Sequence, residues 1–262
     1  MIFKNVLLTT LVSGICFSCQ SDSSKAYVPE SNGNINSLTV VMNKSSWQGD
    51  LGNEIKLSLT EPYEGLPFDE PKYDFYYLQP SVFTGFARNS RNVIYFNKDT
   101  TGQGFKLIKN LWARPQVTAL ITGEDEDVMS FYFQENKDLL FRSLSENERV
   151  EKIRRMKKSL NKETDLKDRL GINLTFPDAY KVVKDTSNFI WIEKQVTKGH
   201  LNIIAYTLPE NINLDKIEER IPKIRDSIGK IYVPGRVPGS YMITERAYLP
   251  YYYKTQVNRL DA

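Results

Sequence analysis

The positions of the two cysteines constrain the fold more than any other feature of this sequence. Cys16 and Cys19 are the only cysteines among the 262 residues, so everything after residue 19 lacks both disulfides and thiolates. Such a chain must be stabilised by an apolar core and by hydrogen bonds, and its 40% of hydrophobic residues are enough to form that core. Because His200 is the single histidine, most zinc, haem and thiol chemistry is excluded, and we expect no cofactor and no metal.

The first 18 residues have the pattern of a secretory signal peptide. Lys4 precedes an apolar run over residues 6–17, which is too short to span a bilayer. Cys19 follows the small residue Ser18, and the sequence becomes polar directly after it, which resembles a bacterial lipoprotein signal. We therefore predict a lipoprotein signal peptide over residues 1–18 and lipidation of Cys19. An ordinary cleaved signal peptide is the alternative.

The composition after the signal peptide indicates where the protein works. Residues 19–36 carry almost no apolar side chains, which predicts a flexible tether. We expect a lipid-anchored protein of the cell envelope, in the outer membrane rather than the inner one. The 35 Lys and Arg against 32 Asp and Glu are far from the clustered basic charge of a nucleic-acid-binding protein, so we expect no nucleic acid partner. A mean hydropathy of −0.43 excludes a polytopic membrane protein.

The first part of the folded region alternates between strand and helix patterns. A β-rich run begins at Leu38, and a helix is predicted from the apolar spacing of Leu51, Ile55 and Leu59. The apolar run at 117–123 is the clearest central strand of the chain. This order of elements suggests layers of helices on a sheet.

The middle and last parts predict a long helical segment followed by a second mixed unit. The middle, residues 124–170, is helical, but a capping box of Ser145 and Glu148 predicts a break near Leu144. A hairpin turning at Gly199 and a helix over residues 215–228 follow. We therefore predict a single α+β domain over residues 37–262, with mixed sheet layers in two lobes bridged by the long helical middle segment.

The sequence contains only weak candidates for catalysis. Paired carboxylates would serve a glycosidase, and three acids among aromatic residues are the ones to test: Glu70, Glu193 and Glu245. Ser227 and Lys230 have the spacing of a Ser-x-x-Lys pair, although the other signatures of that enzyme class are missing. The sequence contains no nucleophile motif for which His200 could act as the base, so a structural or exposed histidine is favoured.

Several clusters have the residue types of a binding surface or of a buried polar network. Two glycines after Trp47 open a helix, where backbone N–H groups can receive an anion, although a tight turn is the favoured interpretation. Arginines, aromatic residues and amides at predicted turns complete the set. The candidate binding residues are Trp47, Gly49, Gly52, Arg91, Trp112, Arg114, Gln116, Arg225 and Tyr241. Residues 149–169 hold nine Lys and Arg against four Asp and Glu, which suits either a solvated face or anionic lipid.

These clusters together resemble a family of Bacteroidetes lipoproteins of unknown function (DUF4837). The resemblance extends over about residues 38–254 and rests on seven motifs: WxGxxG from Trp47, GLPxxEP from Gly65, RNV from Arg91, WAxPQ from Trp112, FIW from Phe189, RDS from Arg225 and GSYM from Gly239. It implies a lipid-anchored envelope protein and supplies no activity or catalytic residue. It also implies a Trp- and Gly-rich segment beyond Ala262, so we expect the chain to be truncated at its C-terminus.

Three functions follow as hypotheses. The favoured one is a non-catalytic envelope lipoprotein that binds a protein or glycan partner through an exposed aromatic and arginine patch. The second is an envelope hydrolase of glycan or peptidoglycan, which requires two carboxyl groups in one cleft. The third is a structural protein that places its basic helix on the membrane.

Overall fold

The computed structural model describes residues 27–63, 66, 68–162, 166–209 and 216–247. The predicted signal peptide, Cys19 and the chain beyond residue 247 lie outside these ranges. Two sheets, one mixed and one antiparallel, lie on either side of a long helix in sequence, so the predicted α+β fold in two lobes is confirmed. No helix in the described ranges has the length and apolar character needed to cross a bilayer.

The first lobe contains a five-stranded mixed sheet. Its strands are β1 (Ser37–Val41), β2 (Asp74–Leu78), β3 (Asn92–Lys98), β4 (Gly104–Lys109) and β5 (Val117–Gly123), in the spatial order β2-β1-β3-β5-β4. β4 runs antiparallel to β5 at one edge, and the other neighbouring pairs are parallel. The predicted strands at Leu38 and at 117–123 are therefore confirmed.

Among the described residues, α-helices cover one face of this sheet. They are α1 (Lys44–Gln48), α2 (Asp50–Leu59) and α3 (Glu126–Met156). The apolar side of α2, predicted from Leu51, Ile55 and Leu59, packs into the same buried cluster as alternate residues of β1, β3 and β5. Among the described residues, the second face carries a 3₁₀ helix (Gly85–Asn89) and loops in place of an α-helix. Parallel sheets are normally covered by helices on both faces, so a face on which Val41, Val93 and Thr118 are buried under loops and a 3₁₀ helix is unusual.

The predicted break near Leu144 is wrong, because α3 runs through it without interruption for 31 residues. Leu140 and Leu144 are fully buried against the sheet, and the Ser145 hydroxyl bonds the Tyr73 hydroxyl at 3.2 Å. Glu148 does not reach back to a helix N-terminus; it receives donors from other elements. The true N-cap of α3 is Asp125, whose carboxylate accepts a hydrogen bond from Val128 N.

The second lobe is a three-stranded antiparallel sheet with two helices. Its elements are α4 (Lys167–Leu170), β6 (Lys181–Asp185), β7 (Phe189–Val196), β8 (Gly199–Tyr206) and α5 (Ile217–Tyr232). The predicted hairpin is confirmed: β7 and β8 pair along their whole length, and Gly199 takes the positive φ of 148° that the turn requires. Ile190 and Ile192 are the buried centre of this lobe.

Residues 29–36, assigned to the tether from sequence, are part of the first lobe. The backbone of Arg114 donates to Pro29 O at 2.8 Å and accepts from Ser31 N at 3.0 Å. Asn32 N donates to Asn89 O at 2.8 Å. The segment is attached to the lobe through its backbone hydrogen bonds. Its side chains therefore do not need to be apolar, and its polar composition does not indicate a free tether.

Candidate functional site

The three candidate catalytic acids stand on separate elements. Glu70 is exposed in the loop before β2, Glu193 lies on β7, and Glu245 is exposed after α5. Glu193 pairs with His200, whose Nδ1 lies 3.0 Å from Glu193 Oε1, as a cross-strand contact of the hairpin. None of the three acids lines any of the cavities described below. The arrangement gives no support to a glycosidase with two carboxyl groups in one cleft.

The Ser227 and Lys230 side chains are engaged elsewhere. Ser227 Oγ donates to the Lys223 carbonyl at 2.9 Å within α5, and Lys230 Nζ lies 5.8 Å from the ring centre of Tyr241. The spacing of the two residues therefore reflects an ordinary helix face. Tyr241 keeps 38% of its surface exposed.

The glycine turn after Trp47 is tightly packed, which favours the turn interpretation over an anion site. Gly49 N donates to Ser45 O at 2.9 Å, so this donor is used within the protein. A Cβ atom at Gly52 would lie 2.1 Å from the carbonyl oxygen of Trp47, so only glycine fits there. The Trp47 ring itself stacks on Tyr77 with their centres 4.7 Å apart.

Arg91 is a buried structural residue. Only 1% of its surface is exposed, and its Nε donates to Glu148 Oε1 at 2.7 Å. Its remaining nitrogens donate to the carbonyls of Gly33 and Asn34, at 3.2 Å and 2.5 Å. Glu148, 2% exposed, also accepts from Asn36 N and Asn92 Nδ2. The pair thus ties the N-terminal segment, β3 and α3 together, since each buried charge requires its partners.

A second buried acid, Glu151, lies one turn further along α3. Its carboxylate accepts hydrogen bonds from Arg154 Nε and Arg155 Nε, both at 2.7 Å. The bonds from Arg154, followed by those from Arg155 and the charge of Arg91, lower the pKa of Glu151 to about 2, although burial acts in the opposite direction. Glu151 is therefore ionised at any physiological pH.

An apolar candidate site lies on the second face of the five-stranded sheet, which no α-helix covers among the described residues. A cavity of about 200 Å³, here called the Trp112 cavity, opens between this face and the segment around the 3₁₀ helix. Its walls are mainly aromatic and apolar: Pro80, Phe83, Arg88, Tyr95, Leu111, Trp112, Thr118 and Leu120. The Trp112 ring meets Phe83 edge-on at 5.2 Å, so its orientation is fixed by packing.

Gln116 holds the two walls of the Trp112 cavity together. Its Oε1 accepts from Trp112 N at 2.8 Å, and its Nε2 donates to the carbonyls of Arg88 and Ser90, both at 2.7 Å. Only 1% of Gln116 is exposed. The predicted binding residues Trp112 and Gln116 are therefore brought together, the first as a wall of the cavity and the second as its support.

Two polar groups at the Trp112 cavity have unused hydrogen-bonding or charge capacity. Thr118 is fully buried, and its hydroxyl has no hydrogen-bond partner among the described residues. Arg88 lies over the Trp112 ring at 5.7 Å and forms no ion pair within the described part of the chain. Sequence reasoning missed Thr118 and Phe83, because alternation alone does not show which face of β5 lacks a helix.

Two larger cavities are polar. One of about 570 Å³ also opens on the second face, between residues 32–34, β1 and β2, and includes Tyr76. The other, about 910 Å³, lies between α3 and the loop before β2. Most of its charges pair with one another: Glu61 contacts Lys137 at 2.8 Å and Lys72 at 3.6 Å, and Glu146 contacts Arg149 at 2.7 Å. A groove with internally paired charges offers little to a charged ligand.

The remaining predicted binding residues do not join the Trp112 cavity. The Arg114 side chain is exposed, and its backbone holds the N-terminal segment. Arg225 lies on α5 in the second lobe, near Tyr206. Burial raises the pKa of Tyr206, and the positive charge of Arg225 partly offsets this increase. Arg225 Nε is buried without a hydrogen-bond partner in the described ranges.

The described residues define a two-lobe α+β protein with an aromatic-walled cavity on the sheet face that lacks a helix. They contain no group of three side chains able to hold a metal ion. Residues 159–261 match the model of a family described as Domain of unknown function (DUF4837), which confirms the predicted resemblance for the second lobe. Residues 31–157 match a different model, Domain of unknown function (DUF8532), so the motifs of the first lobe belong to that match. No curated protein and no solved structure matches the chain.

Proposed function

We propose that this chain is a lipid-anchored lipoprotein of the cell envelope, in the outer membrane, that acts as a non-catalytic binding module. The observation that carries the binding role is the second face of the five-stranded sheet, which is left without a helix and holds the Trp112 cavity. The walls of this cavity are mainly apolar and aromatic, with Arg88 and the buried Thr118 hydroxyl as the polar groups, so they suit an apolar side chain better than a sugar ring whose several hydroxyl groups each need a partner. The partner is therefore a protein.

The rim of the Trp112 cavity supports a protein partner. Val82, next to the wall residue Phe83, exposes 56% of its surface; Phe86, two residues before Arg88, exposes 77%, and the wall residue Leu111 exposes 42%. Aromatic side chains and an arginine around an apolar pocket are the residue types that dominate protein interfaces. Arg88, free of ion pairs within the described residues, adds a donor for a partner carboxylate.

Site-specific photocrosslinking in cells tests the binding face. A benzophenone amino acid at Phe86 should give one discrete crosslinked product in the membrane fraction. The same amino acid at Leu57, which is 73% exposed on α2, should not, because α2 covers the opposite face. Leu120→Lys, inside the Trp112 cavity, should abolish the product while circular dichroism stays unchanged. Equal products from both positions, or one that survives Leu120→Lys, contradicts the proposal.

Metabolic labelling with a palmitate analogue tests the anchor. Wild type, Cys16→Ala and Cys19→Ala are compared, and membranes are separated by density. We expect label in the first two and none in Cys19→Ala, with the labelled protein in the outer membrane. Label retained in Cys19→Ala, or absent from the wild type, would leave a secreted protein without this anchor.

A further inference from the structure

The C-terminal end of α3 and the residues after it carry exposed lysines without carboxylate partners in the described ranges. They are Lys152, Lys157, Lys158 and Lys162, here called the lysine patch. The arginines of the same stretch are different, since Arg154 and Arg155 bind Glu151, and Arg149 binds Glu146. The basic run seen in the sequence therefore divides into arginines that serve the fold and lysines that are free to interact.

The N-terminal segment passes directly over this end of α3. Arg154 Nη1 lies 2.9 Å from Glu30 Oε1, and Arg155 Nη2 donates to Gly33 O at 2.8 Å. Lys158, in the turn after α3, donates from its backbone N to Arg155 O at 3.2 Å, so it lies beside the arginines that contact the N-terminal segment. Tyr27, where the described segment starts, is 88% exposed. The N-terminal segment and the lysine patch therefore share one end of the first lobe.

The short distance in sequence to Cys19 limits how far this end can lie from a membrane. Tyr27 is the eighth residue after Cys19. Eight residues span at most about 28 Å when fully extended and about 16 Å as a flexible coil. A bilayer that holds a lipid on Cys19, as in the function proposed above, therefore lies within this distance of Tyr27.

The other end of α3 has the opposite charge. Glu124, Asp125, Glu126 and Asp127 lie at its N-terminus, about 46 Å away along a helix of 31 residues. An anionic surface attracts the lysine end and repels the acidic end, and with a Debye length near 8 Å only the nearer end contributes strongly.

We propose that the lysine patch contacts anionic lipid headgroups and fixes the orientation of the first lobe on the membrane. This inference rests on the lipid anchor of the proposed function and adds a second, electrostatic contact to it. An acyl anchor alone leaves the domain free to rotate, whereas an anchor combined with a basic patch holds one side against the surface. α3 then points its acidic end away from the bilayer.

Lysine footprinting of the full, lipidated protein tests this orientation. The protein is purified from membranes, its acylation at Cys19 is verified by mass spectrometry, and it is reconstituted into vesicles of phosphatidylcholine with or without phosphatidylglycerol. Acetylation of the lysine patch should be at least about threefold slower on the anionic vesicles at low salt, and the difference should disappear at about 0.5 M salt. Lys44, exposed at the start of α1, and Lys98, exposed at the end of β3, should react equally on both.

Matched charge reversals separate a specific contact from general attraction. Lys157→Glu with Lys158→Glu should remove the protection of Lys152 and Lys162. Lys44→Glu with Lys98→Glu makes the same change in net charge at the other end and should leave that protection intact. Circular dichroism verifies that both double variants are folded.

Each remaining outcome overturns a stated claim. If both double variants lose the protection equally, the attraction depends on net charge alone. If the acylated wild type shows no protection, the lysines are simply solvated at the end of α3. Either result overturns the lipid contact. An unmodified Cys19 overturns the proposed anchor and this inference with it.

Discussion

At the scale of single residues, the buried charges of the first lobe explain residues that from sequence look like parts of a binding surface. Arg91 is predicted to bind a partner because of its residue type. In the structure its nitrogens donate to Glu148 and to two carbonyls of the N-terminal segment. Burial without an unpaired donor distinguishes it from Arg88, which is exposed and lies over Trp112. Only the tertiary contacts separate the two arginines.

Removing the carboxylate of Glu148 should destabilise the protein severely. Glu148→Ala leaves the Arg91 charge and the Asn92 amide without their main acceptor inside the lobe, so we expect a loss of about 3 to 5 kcal/mol in the free energy of unfolding. Urea denaturation measures it. Glu146→Ala, at an exposed position two residues earlier, should leave the free energy of unfolding nearly unchanged, because solvent screens its pair with Arg149. Similar losses in the two variants would contradict the buried network.

The low pKa of Glu151 predicts a specific dependence of stability on pH. Since its pKa falls from 4.5 to about 2 on folding, its contribution is fully present above pH 4.5 and is lost as the pH falls towards 2. The full shift corresponds to about 3 kcal/mol, and the contribution is smaller than this because the side chains of Arg154 and Arg155 are 40% and 41% exposed and solvent screens them. The difference in unfolding free energy between wild type and Glu151→Gln should therefore be constant from pH 7 to 5 and shrink below pH 4.5. A difference independent of pH from 5 to 2.5 would refute the assignment.

Gly52 should not tolerate a methyl group. The Cβ of Gly52→Ala would lie 2.1 Å from Trp47 O, and shifting α2 against α1 should cost about 1 to 3 kcal/mol. Asn53→Ala, at the exposed next position of α2, should change stability by less than about 0.5 kcal/mol. Thermal unfolding compares the two, and a neutral Gly52→Ala would show that the turn is loose.

At the scale of elements, local patterns predicted β1, α2, β5 and the hairpin correctly but divided α3 wrongly. The hairpin of β7 and β8 follows from two β-rich runs around a short turn with glycine, all within 18 residues. In contrast, the pattern of Ser145 followed by Glu148 is the same for a helix start and for the middle of a helix. The contacts that decide between them come from Tyr73 and Arg91, which are 72 and 57 residues away.

Proline substitution tests the continuity of α3. If a helix began after Ser145, Glu146 would be its first position, where proline is tolerated. In the continuous α3 we expect Glu146→Pro to cost about 3 kcal/mol or more, because a backbone hydrogen bond is lost and the ring clashes with the preceding turn. Glu126→Pro, at the first position of α3, is the control and should cost far less. Equal stabilities, measured by urea denaturation, would favour a broken helix.

At the scale of the whole molecule, the boundary between the two family matches coincides with the end of α3. One match ends at residue 157 and the other begins at residue 159, and α3 ends at Met156. The large buried cluster of the first lobe draws all its members from residues 38–144, and the cluster of the second lobe from residues 166–205. Each lobe therefore has a core of its own.

This separation predicts that the first lobe folds alone. A fragment of residues 27–157 keeps the five-stranded sheet, α3 and the Arg91 network, so we expect a single cooperative unfolding transition with dispersed amide resonances. The Glu148→Ala substitution should destabilise the fragment as much as it destabilises the full chain. Gradual unfolding of the fragment would show that the first lobe needs the second.

The sequence by itself determined the elements whose signals are local: the apolar spacing of α2, the strand at 117–123, the hairpin at Gly199 and the division into α+β lobes. The tertiary structure alone decided which face of the five-stranded sheet lacks a covering α-helix, which arginines are buried and where α3 ends. The physical reason is that periodicity records which side of an element is apolar, whereas burial of a charge or exposure of a sheet face depends on partners far away in the chain.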